Sequence, residues 1–155
     1  KPIHTPSIKE IASDFGIQNI KRQPNQYMFY GGPVNLNKVM VLHTPDADFG
    51  KGTHKFNDEI WMSNTPQCLN AILGHGQTGP TNWMIAIGQC TWSAGQLESE
   101  ILSRNGRLNS DAWLTTTLNA NTVFGMKYQN RWKKTVNRIA QEQFQRTFNH
   151  AVQTQ

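Results

Sequence analysis

The sequence predicts one mixed α/β (α+β-like) domain, a single mixed β-sheet flanked by helices, and three observations favour this fold class. Its 155 residues are enough for one domain with a sizeable core. Runs typical of strands alternate with helical patterns, without a strict repeat and without a convincing linker. Residues 82–88 (NWMIAIG) are nearly all apolar, as expected of a central strand that is covered on both faces.

The elements before the central strand follow from capping signals and apolar spacing. Ser7 and Glu10 form a capping box, and Gly16 can close the helix that follows in the left-handed conformation. Thr65-Pro66 opens a second helix, which Gly74 ends. The buried face of the first helix is predicted to consist of Ile8, Ile11, Ala12 and Phe15. Strands are predicted at residues 27–30, 38–43 and 59–63, with a polar loop and a frayed hairpin at 46–58.

Two helices are predicted after the central strand. Ser93 caps a short one, with Gln96 completing a second capping box. A long helix then runs from about residue 127 into the 140s. We take residues 1–140 as the domain and 141–155 as a C-terminal helical extension, which is itself a candidate for docking on a partner.

The net charge of +5 belongs to the C-terminal third of the chain. Residues 1–103 carry seven Lys or Arg against eight Asp or Glu, a net −1, whereas residues 104–155 carry eight against two, a net +6. An anionic partner is therefore expected to bind the C-terminal part first.

Composition and residue spacing argue against a membrane span and a metal site. No apolar run approaches the roughly 18 residues that a span requires, and no signal peptide is visible. Cys68 and Cys90 do not have metal-ligand spacing. We expect two free thiols in a reducing, cytoplasmic setting, and one disulfide between them is the alternative. His43, His54 and His75 are not spaced as a ligand set either.

Cys90 follows the central strand, where a nucleophile would profit from the backbone N–H groups of a helix start. His43 would then be the base, oriented by Asp46 or Asp48. A nucleophile elbow needs small neighbours, however, and Trp92 stands two residues after the cysteine. We therefore expect Cys90 to be buried or incidental and to react slowly with thiol reagents.

Two stripes run along the predicted C-terminal helix. Lys127, Arg131, Lys134 and Arg138 form a basic stripe about 60° wide at roughly 100° per residue. Tyr128, Trp132, Val136 and Ile139 form an adjacent apolar stripe, in which Trp132 is expected to be a core position. The cations are either solvated side chains on an amphipathic helix or contacts to an anion or nucleic acid within residues 127–138.

Several motifs together resemble those of the bacterial AlgH/YqgE family. They are residues 92–98 (WSAGQLE) followed by Glu100-Ile101, residues 31–34 (GGPV), 41–45 (VLHTP), 112–114 (AWL) and 131–132 (RW). The opening Lys1-Pro2-Ile3 resembles a segment that follows two N-terminal strands in the family, so the resemblance implies that those strands are missing here. The chain also differs from the family between Ser103 and Trp113, around residues 119–126, and in extending past Ala140.

The resemblance implies a regulatory function without a known active site. The family has no agreed catalytic residues or cofactor, usually has a small residue in place of Cys90, and has been linked to transcriptional regulation of exopolysaccharide synthesis. We therefore expect a non-enzymatic regulatory or interaction protein with a protein partner and no membrane partner; its oligomeric state stays open. The candidate functional surface comprises Gly31, Gly32, Pro33, His43, Trp92, Gln96 and Glu98.

Two alternatives remain beside this interpretation. One is a small hydrolase or ligand-binding enzyme with a pocket near His43, Trp92 and Glu98, to which Gly31 would contribute. The other is a nucleic-acid-binding protein that uses the basic C-terminal helix.

Overall fold

A mixed sheet of six strands forms the centre of the computed structural model, which describes residues 2–4, 6–20, 28–74, 78–102 and 113–153. The strands are β1 (Pro2–Ile3), β2 (Met28–Tyr30), β3 (Val34–His43), β4 (Thr53–Lys55), β5 (Trp61–Ser63) and β6 (Trp83–Gln89). Their order is β1-β2-β6-β3-β5-β4. β2 and β6 are parallel, and every other neighbouring pair is antiparallel. The predicted fold class, α+β with a mixed sheet, is confirmed.

The chain divides into two compact units, Lys1–Thr91 and Trp92–Gln155. The first contains the sheet with helices α1 (Ile8–Asp14) and α2 (Pro66–Leu73), and the second contains α3 (Gln96–Ile101) and α4 (Tyr128–Gln153). Within the described ranges, no helix combines the length and apolar character that a bilayer span requires.

The core of the first unit lies on one face of the sheet. Ile85 of β6 pairs with Met28 of β2 on one side and with Val41 of β3 on the other, and all three are buried. Side chains of α1, its following turn and α2 pack against this face; they are Ile11, Ala12, Ile17, Cys68, Leu69, Ile72 and Leu73. β6 is therefore a central strand, as its apolar sequence predicts.

Helix α1 has the predicted caps at both ends. Ser7 and Glu10 form the reciprocal capping box, with Ser7 Oγ accepting from Glu10 N at 3.2 Å. At the other end Gly16 has φ +72°, its N–H bonds to Ser13 O, and Ile17 N bonds to Ala12 O, which is a Schellman motif. Phe15 is 37% exposed rather than buried, because it is the C-cap residue, where the chain leaves the helix.

Helix α2 also begins and ends as the sequence predicts. Thr65 is its N-cap and accepts a hydrogen bond from Cys68 N at 3.2 Å, Pro66 occupies the first turn, and Gly74 is the C-cap. The predicted turn that follows lies partly outside the described residues, since residues 75–77 are not described.

The strands differ from the prediction in β3 and in the two edge strands, β1 and β4. β3 begins at Val34 instead of residue 38, because an irregularity between Val34 and Val39, with Asn35 at φ +55°, lets polar residues extend the strand. β1 was not predicted from the pattern, since two residues carry no periodicity. The predicted frayed hairpin within residues 46–58 contains a 3-10 turn, Gly50–Gly52, followed by β4, which pairs with β5.

Three glycines, which we call the glycine junction, bring the ends of β2 and β6 into backbone contact. A Cβ on Gly31 would lie 2.3 Å from the carbonyl oxygen of Gly88, and a Cβ on Gly88 would lie 2.3 Å from that of Gly32. A Cβ on Gly32 would meet the backbone of Gln89 and Cys90 at 2.3–2.4 Å. The glycine junction is therefore a site of close backbone approach.

Asp46 connects the loop after β3 to the segment before β6. Its carboxylate accepts hydrogen bonds from the Thr44 hydroxyl at 2.6 Å and from the Thr81 N–H at 2.8 Å, as well as from the Thr81 hydroxyl. Desolvation, the largest single influence, raises the pKa of Asp46, but the hydrogen bonds from Thr44 and Thr81 together outweigh it and lower the pKa from 3.8 to about 2.

Asp46 should therefore make the free energy of unfolding depend on pH in the acidic range. A carboxylate whose pKa is lower in the folded state stabilises the fold at every pH above its unfolded pKa of 3.8. This contribution is lost as the pH falls toward the folded pKa of about 2. Because Asp46 is exposed, solvent screening reduces the contribution to about 1 kcal/mol. Denaturant unfolding of wild type and Asp46→Asn should show a stability difference near neutral pH that shrinks on acidification. A difference that stays constant down to the lowest pH would contradict this assignment.

In the second unit, α3 begins later than the capping box predicts. Gln96 N bonds to Ser93 O at 3.0 Å, and Gly95 has φ +77° and ψ −8°, so residues 93–96 form a type II turn. Only half of the capping box exists: Gln96 Oε1 accepts from Ser93 N at 3.0 Å, but Gly95 is the N-cap residue. The glycine at the third turn position favours the turn over an earlier helix start.

Helix α4 follows a π-helical turn at Asn121–Gly125. It is continuous across residues 140 and 141 and reaches Gln153, further than the periodicity indicates. The division into a domain of residues 1–140 and an extension of 141–155 stays a prediction.

Candidate functional site

A chain of hydrogen bonds runs through the core of the first unit, centred on His43. Thr44 O can only accept, so His43 Nδ1 must donate to it, at 2.7 Å. In a neutral imidazole the other nitrogen, Nε2, accepts, and Ser63 Oγ lies 2.9 Å from it. Ser63 Oγ then accepts from the Thr53 hydroxyl at 2.8 Å, and Thr53 Oγ1 accepts from Phe49 N–H at 3.2 Å. Every donor in this chain therefore has an acceptor.

The pair of His43 and Ser63 resembles a catalytic dyad in its distance but not in its accessibility. Both residues are 0% exposed, so no substrate can reach the hydroxyl without the core opening. The His43 ring also packs edge-on against Phe49 at 5.4 Å and Trp61 at 6.4 Å between centroids. Neither Asp46 nor Cys90 hydrogen-bonds to this histidine. The geometry is that of a satisfied polar group in a core.

The strand register separates His43 from the glycine segment. His43 pairs with Trp83 at the start of β6, whereas Gly31 N bonds to Ile87 O near its end, at 2.8 Å. At about 3.3 Å per residue these ends lie more than about 10 Å apart. The structure therefore does not bring His43 together with Gly31, Gly32 and Pro33, while Trp92, Gln96 and Glu98 belong to the second unit.

Both cysteines are free, as predicted, but the expected burial of Cys90 is wrong. Cys90 is exposed, and its thiol donates to Gly31 O at 3.6 Å. Cys68 of α2 is the buried cysteine, at 0% exposure. Burial raises the pKa of the Cys68 thiol to about 12, and a hydrogen bond with Ser63, which lowers it, offsets only part of that effect. A position just after a strand does not by itself bury a side chain.

The two thiols should consequently react at very different rates. In the native protein Cys90 should react with a disulfide reagent promptly, because its sulfur is exposed, whereas Cys68 should react only when the core opens. Stopped-flow labelling of wild type, Cys90→Ser and Cys68→Ala checks this. The Cys90→Ser variant should lose the fast phase and Cys68→Ala should keep it. Equal rates for the two thiols would contradict the assignment.

Trp92 and Gln96 meet at Glu100 in the second unit. Glu100 Oε2 accepts from Trp92 Nε1 at 3.3 Å, and Glu100 Oε1 accepts from Gln96 Nε2 at 3.2 Å. The Trp92 ring also packs against that of Trp113, with centroids 6.2 Å apart and planes at 60°. Glu98 is exposed, and none of these contacts involves it. Of the predicted surface residues, the structure thus brings together Trp92 and Gln96.

The four cations of the basic stripe divide into two inward-bonded arginines and two exposed lysines. Arg131 Nη2 donates to Val123 O at 2.8 Å, and burial lowers the pKa of Arg131. Arg138 donates to Thr122 Oγ1 and Thr116 Oγ1, both at 2.8 Å, to Thr117 O at 3.3 Å, and lies 3.6 Å from Glu142. Lys127 and Lys134 are exposed. The arginines therefore hold the segment before α4 in place.

The predicted apolar stripe is wrong at its largest residue. Trp132 is 74% exposed, while Ile139 is 6% exposed. The other three stripe residues, Tyr128, Val136 and Ile139, lie on the less exposed side of α4, together with Arg131, Thr135, Arg138 and Glu142. Spacing cannot reveal this, because an arginine that bonds to nearby carbonyl and hydroxyl groups can occupy a half-buried position that a tryptophan would otherwise take.

Metal-ligating residues do not converge in the part of the chain that the structure describes. There, no group of three or more His, Cys, Asp or Glu side chains is placed to hold an ion. His75 lies outside the described residues.

Sequence comparison matches residues 1–143 to the AlgH-like family model. The chain belongs to the AlgH-like family. A UPF0301 protein from Pasteurella multocida (strain Pm70) is 30% identical over 128 residues, which are 81% of this chain and 64% of that protein. A UPF0301 protein from Yersinia pestis (strain Pestoides F) is 26% identical over 143 residues, 90% of this chain and 71% of that protein. The chain spans about two thirds of the length of these relatives.

The AlgH-like fold is seen in a solved structure as well. The solution structure of the AlgH protein from Pseudomonas aeruginosa matches with a TM-score of 0.66 and 25% sequence identity, over 90% of this chain and 68% of that one. This agreement supports the topology described above.

The AlgH-like motifs in this chain occupy positions of close packing or hydrogen bonding. The segment 31–34 (GGPV) supplies two of the three glycines of the glycine junction, 41–45 (VLHTP) supplies the buried histidine, and 92–98 (WSAGQLE) supplies the turn before α3. Sequence reasoning missed Ser63, Thr53 and Glu100, which complete these arrangements. Ser63 and Thr53 lie in short strands that have no motif around them. Glu100 follows the WSAGQLE motif at i+4 from Gln96, a spacing that already indicates contact on a helix.

Proposed function

We propose that this AlgH-like chain is a non-enzymatic regulatory or interaction protein that binds a protein partner on the outer face of α4. This outer face consists of exposed residues spaced three or four apart, Asn130, Lys134, Asn137, Gln141, Phe144 and Phe148, and it continues at Lys127 directly before the helix. The observation that carries the proposal is an exposed pair of aromatic rings in the C-terminal part of this face. Phe144 and Phe148 are 69% and 58% exposed, and their rings stack with centroids 6.5 Å apart.

Exposed aromatic pairs of this kind favour protein binding. Large exposed apolar groups are costly in water, and contiguous ones on a soluble protein commonly mark an interaction surface. Aromatic side chains are enriched at interface centres, and charged or amide groups form the rim. The outer face of α4 has this composition, with an aromatic end and a flank of lysine, asparagine and glutamine.

The non-enzymatic part of the proposal is supported by the positions of the reactive groups. His43 and Ser63 are fully buried, and the exposed thiol of Cys90 contacts a backbone carbonyl rather than a base. The two free thiols are consistent with a reducing, cytoplasmic setting.

Quantitative affinity capture tests the protein-binding proposal. The tagged full chain and a Phe144→Ser/Phe148→Ser variant are compared in extracts of the source cell, with Gln141→Ser as the matched control on the same face. Partners should be retained by the wild type and the control and lost from the double variant, and the recovered partner should then bind the purified chain directly. A double variant that keeps every partner would refute the role of this face. The stability of both variants should change by no more than about 0.5 kcal/mol, since the replaced side chains are exposed.

A nucleic-acid partner, as transcriptional regulation would require, is the second candidate. It is favoured by Trp132, which is 74% exposed and adjoins the exposed Lys133 and Lys134. Aromatic side chains stack on unpaired bases, and lysines contact phosphates. Because Arg131 and Arg138 bond internally, Lys127 and Lys134 are the predicted contacts that remain exposed. With two phosphate contacts, the logarithm of the binding constant should fall with the logarithm of the salt concentration at a slope of only about −1.5.

Fluorescence anisotropy with single-stranded DNA, RNA and duplex DNA at low salt distinguishes this candidate. Lys127→Glu/Lys134→Glu should abolish binding of all sequences alike, and Trp132→Ala should weaken single-strand binding. Neither change should alter stability by more than about 0.5 kcal/mol, because these side chains are exposed. The absence of binding by the wild type would eliminate the nucleic-acid candidate and leave the protein partner.

A further inference from the structure

Two tryptophan rings in the second unit form an angled pair that is open to solvent. The centroids of Trp92 and Trp113 are 6.2 Å apart, and the ring planes meet at 60°. Trp92 is 39% exposed, and Trp113 is half-buried. The face of an indole ring carries negative electrostatic potential and attracts cations, more strongly than the face of tyrosine or phenylalanine. An angled pair of this kind presents such a face beside a second ring.

A carboxylate stands at the edge of this pair, and no cation among the described residues forms an ion pair with it. Glu100 accepts one hydrogen bond at each oxygen, from Trp92 Nε1 at 3.3 Å and from Gln96 Nε2 at 3.2 Å. Both donors are neutral side chains, so neither supplies a positive charge to the carboxylate. An ionised carboxylate has about four acceptor positions, so the donors among the described residues leave one position on each oxygen for a further donor.

The position of this carboxylate is fixed by the chain around it. Gln96 Oε1 accepts from Ser93 N at 3.0 Å, and the type II turn through Gly95 places the first residue of α3. The amide group of Gln96 thus bonds at one end to the turn and at the other to Glu100. A site whose groups are already held needs less ordering when a ligand binds.

We propose that Trp92, Trp113 and Glu100 form a binding site for the guanidinium group of an arginine side chain presented by a partner peptide. A guanidinium is planar and weakly hydrated, it stacks on aromatic faces, and its parallel N–H groups match the two free acceptor positions of a carboxylate. A lysine ammonium is compact and strongly hydrated, so it fits this combination less well. The site uses none of the residues on the outer face of α4, and its test is independent of the proposed function.

Titration of the full-length chain with N-acetyl-arginine amide, followed by NMR of the indole N–H signals, tests the proposal directly. The chain has five tryptophans, and Trp92→Phe and Trp113→Phe variants assign the two signals of interest. Both signals should shift saturably with arginine amide and at least about threefold less readily with lysine amide. An arginine-containing peptide should bind by the same residues.

Substitution of the carboxylate supplies the decisive comparison. Glu100→Gln should weaken arginine binding at least about tenfold, since it removes a charge-assisted contact. Glu98→Gln removes the same charge two residues away, on another side of α3, and should leave binding within about twofold. Trp92→Phe keeps an aromatic face and should weaken binding less than Trp92→Leu, and circular dichroism of each variant establishes that it is folded.

Three results would overturn the proposal. The first is the absence of a saturable shift in the wild type, and the second is equal affinity for arginine amide and lysine amide. The third is an equal loss of affinity in Glu98→Gln and Glu100→Gln, since this would indicate only a diffuse attraction to negative charge.

Discussion

Gly88→Ala should destabilise the chain by at least about 3 kcal/mol or prevent it from folding. Gly88 has φ +72°, and the added Cβ would lie 2.3 Å from the carbonyl oxygen of Gly32, a backbone atom that cannot rotate away. Relief of this clash requires β2 and β6 to separate where they are parallel neighbours. Overpacking against backbone adds to the cost of the left-handed conformation for a residue with a side chain. Urea unfolding measures the change.

Gly16→Ala is the matched control for this prediction. Gly16 has the same φ of +72°, but nothing lies within 4 Å of the position its Cβ would take. This variant should therefore be destabilised only by the left-handed backbone conformation, which costs about 1–2 kcal/mol for a residue with a side chain. The difference between the two variants isolates the contact at the glycine junction. If Gly88→Ala cost no more than Gly16→Ala, the close approach of the two strands would be disproved.

His43→Ala should cost about 3 kcal/mol of folding free energy. The ring is fully buried between Phe49 and Trp61, so its removal leaves a cavity. It also deprives the Ser63 hydroxyl and Thr44 O of their hydrogen-bond partner, and unsatisfied buried polar groups are costly. His54→Ala, at an exposed position of β4 in the same sheet, should change stability by no more than about 0.5 kcal/mol.

A double-mutant cycle separates the hydrogen bond from the packing of His43. Ser63→Ala alone should cost about 1–2 kcal/mol, because it leaves His43 Nε2 without a donor. The double variant should be destabilised by about 1 kcal/mol less than the sum of the two single variants. Nitrogen NMR of the wild type should show His43 in the tautomer protonated at Nδ1. Additive costs, or the other tautomer, would contradict the hydrogen-bond chain.

The sequence predicts those parts of the fold that short-range chemistry determines. The caps at Ser7, Gly16 and Thr65 and the apolar run of β6 involve neighbours within a few residues. β1 escaped prediction because a two-residue strand exists only through its pairing with β2. The start of α3 was misplaced because Ser93 and Gly95 offer competing signals, and the turn through the glycine prevails.

The candidate site is less predictable than the fold, because it depends on which groups meet across the chain. The buried partner of His43 is Ser63, twenty residues away on another strand, and no spacing rule connects them. Arg131 and Trp132 are adjacent, and Arg131, which donates to the distant Val123 O, is the one that turns inward. Glu100 was within reach of prediction, since its helical spacing from Gln96 is regular, whereas the approach of Trp113 was not.

The strand order has a consequence for how the chain folds as it is synthesised. β2 and β3 follow each other closely along the chain, yet they do not pair with each other, because β6 lies between them. A ribosome-bound chain has already exposed both strands when residues 83–89 are still to be made. Until β6 arrives, the inner edges of β2 and β3 have unpaired backbone groups, which are open to other strands. The pair β1–β2 and the group β3–β5–β4 can form earlier, but the two parts join into one sheet only when β6 emerges, and the nascent chain depends on protection up to that point.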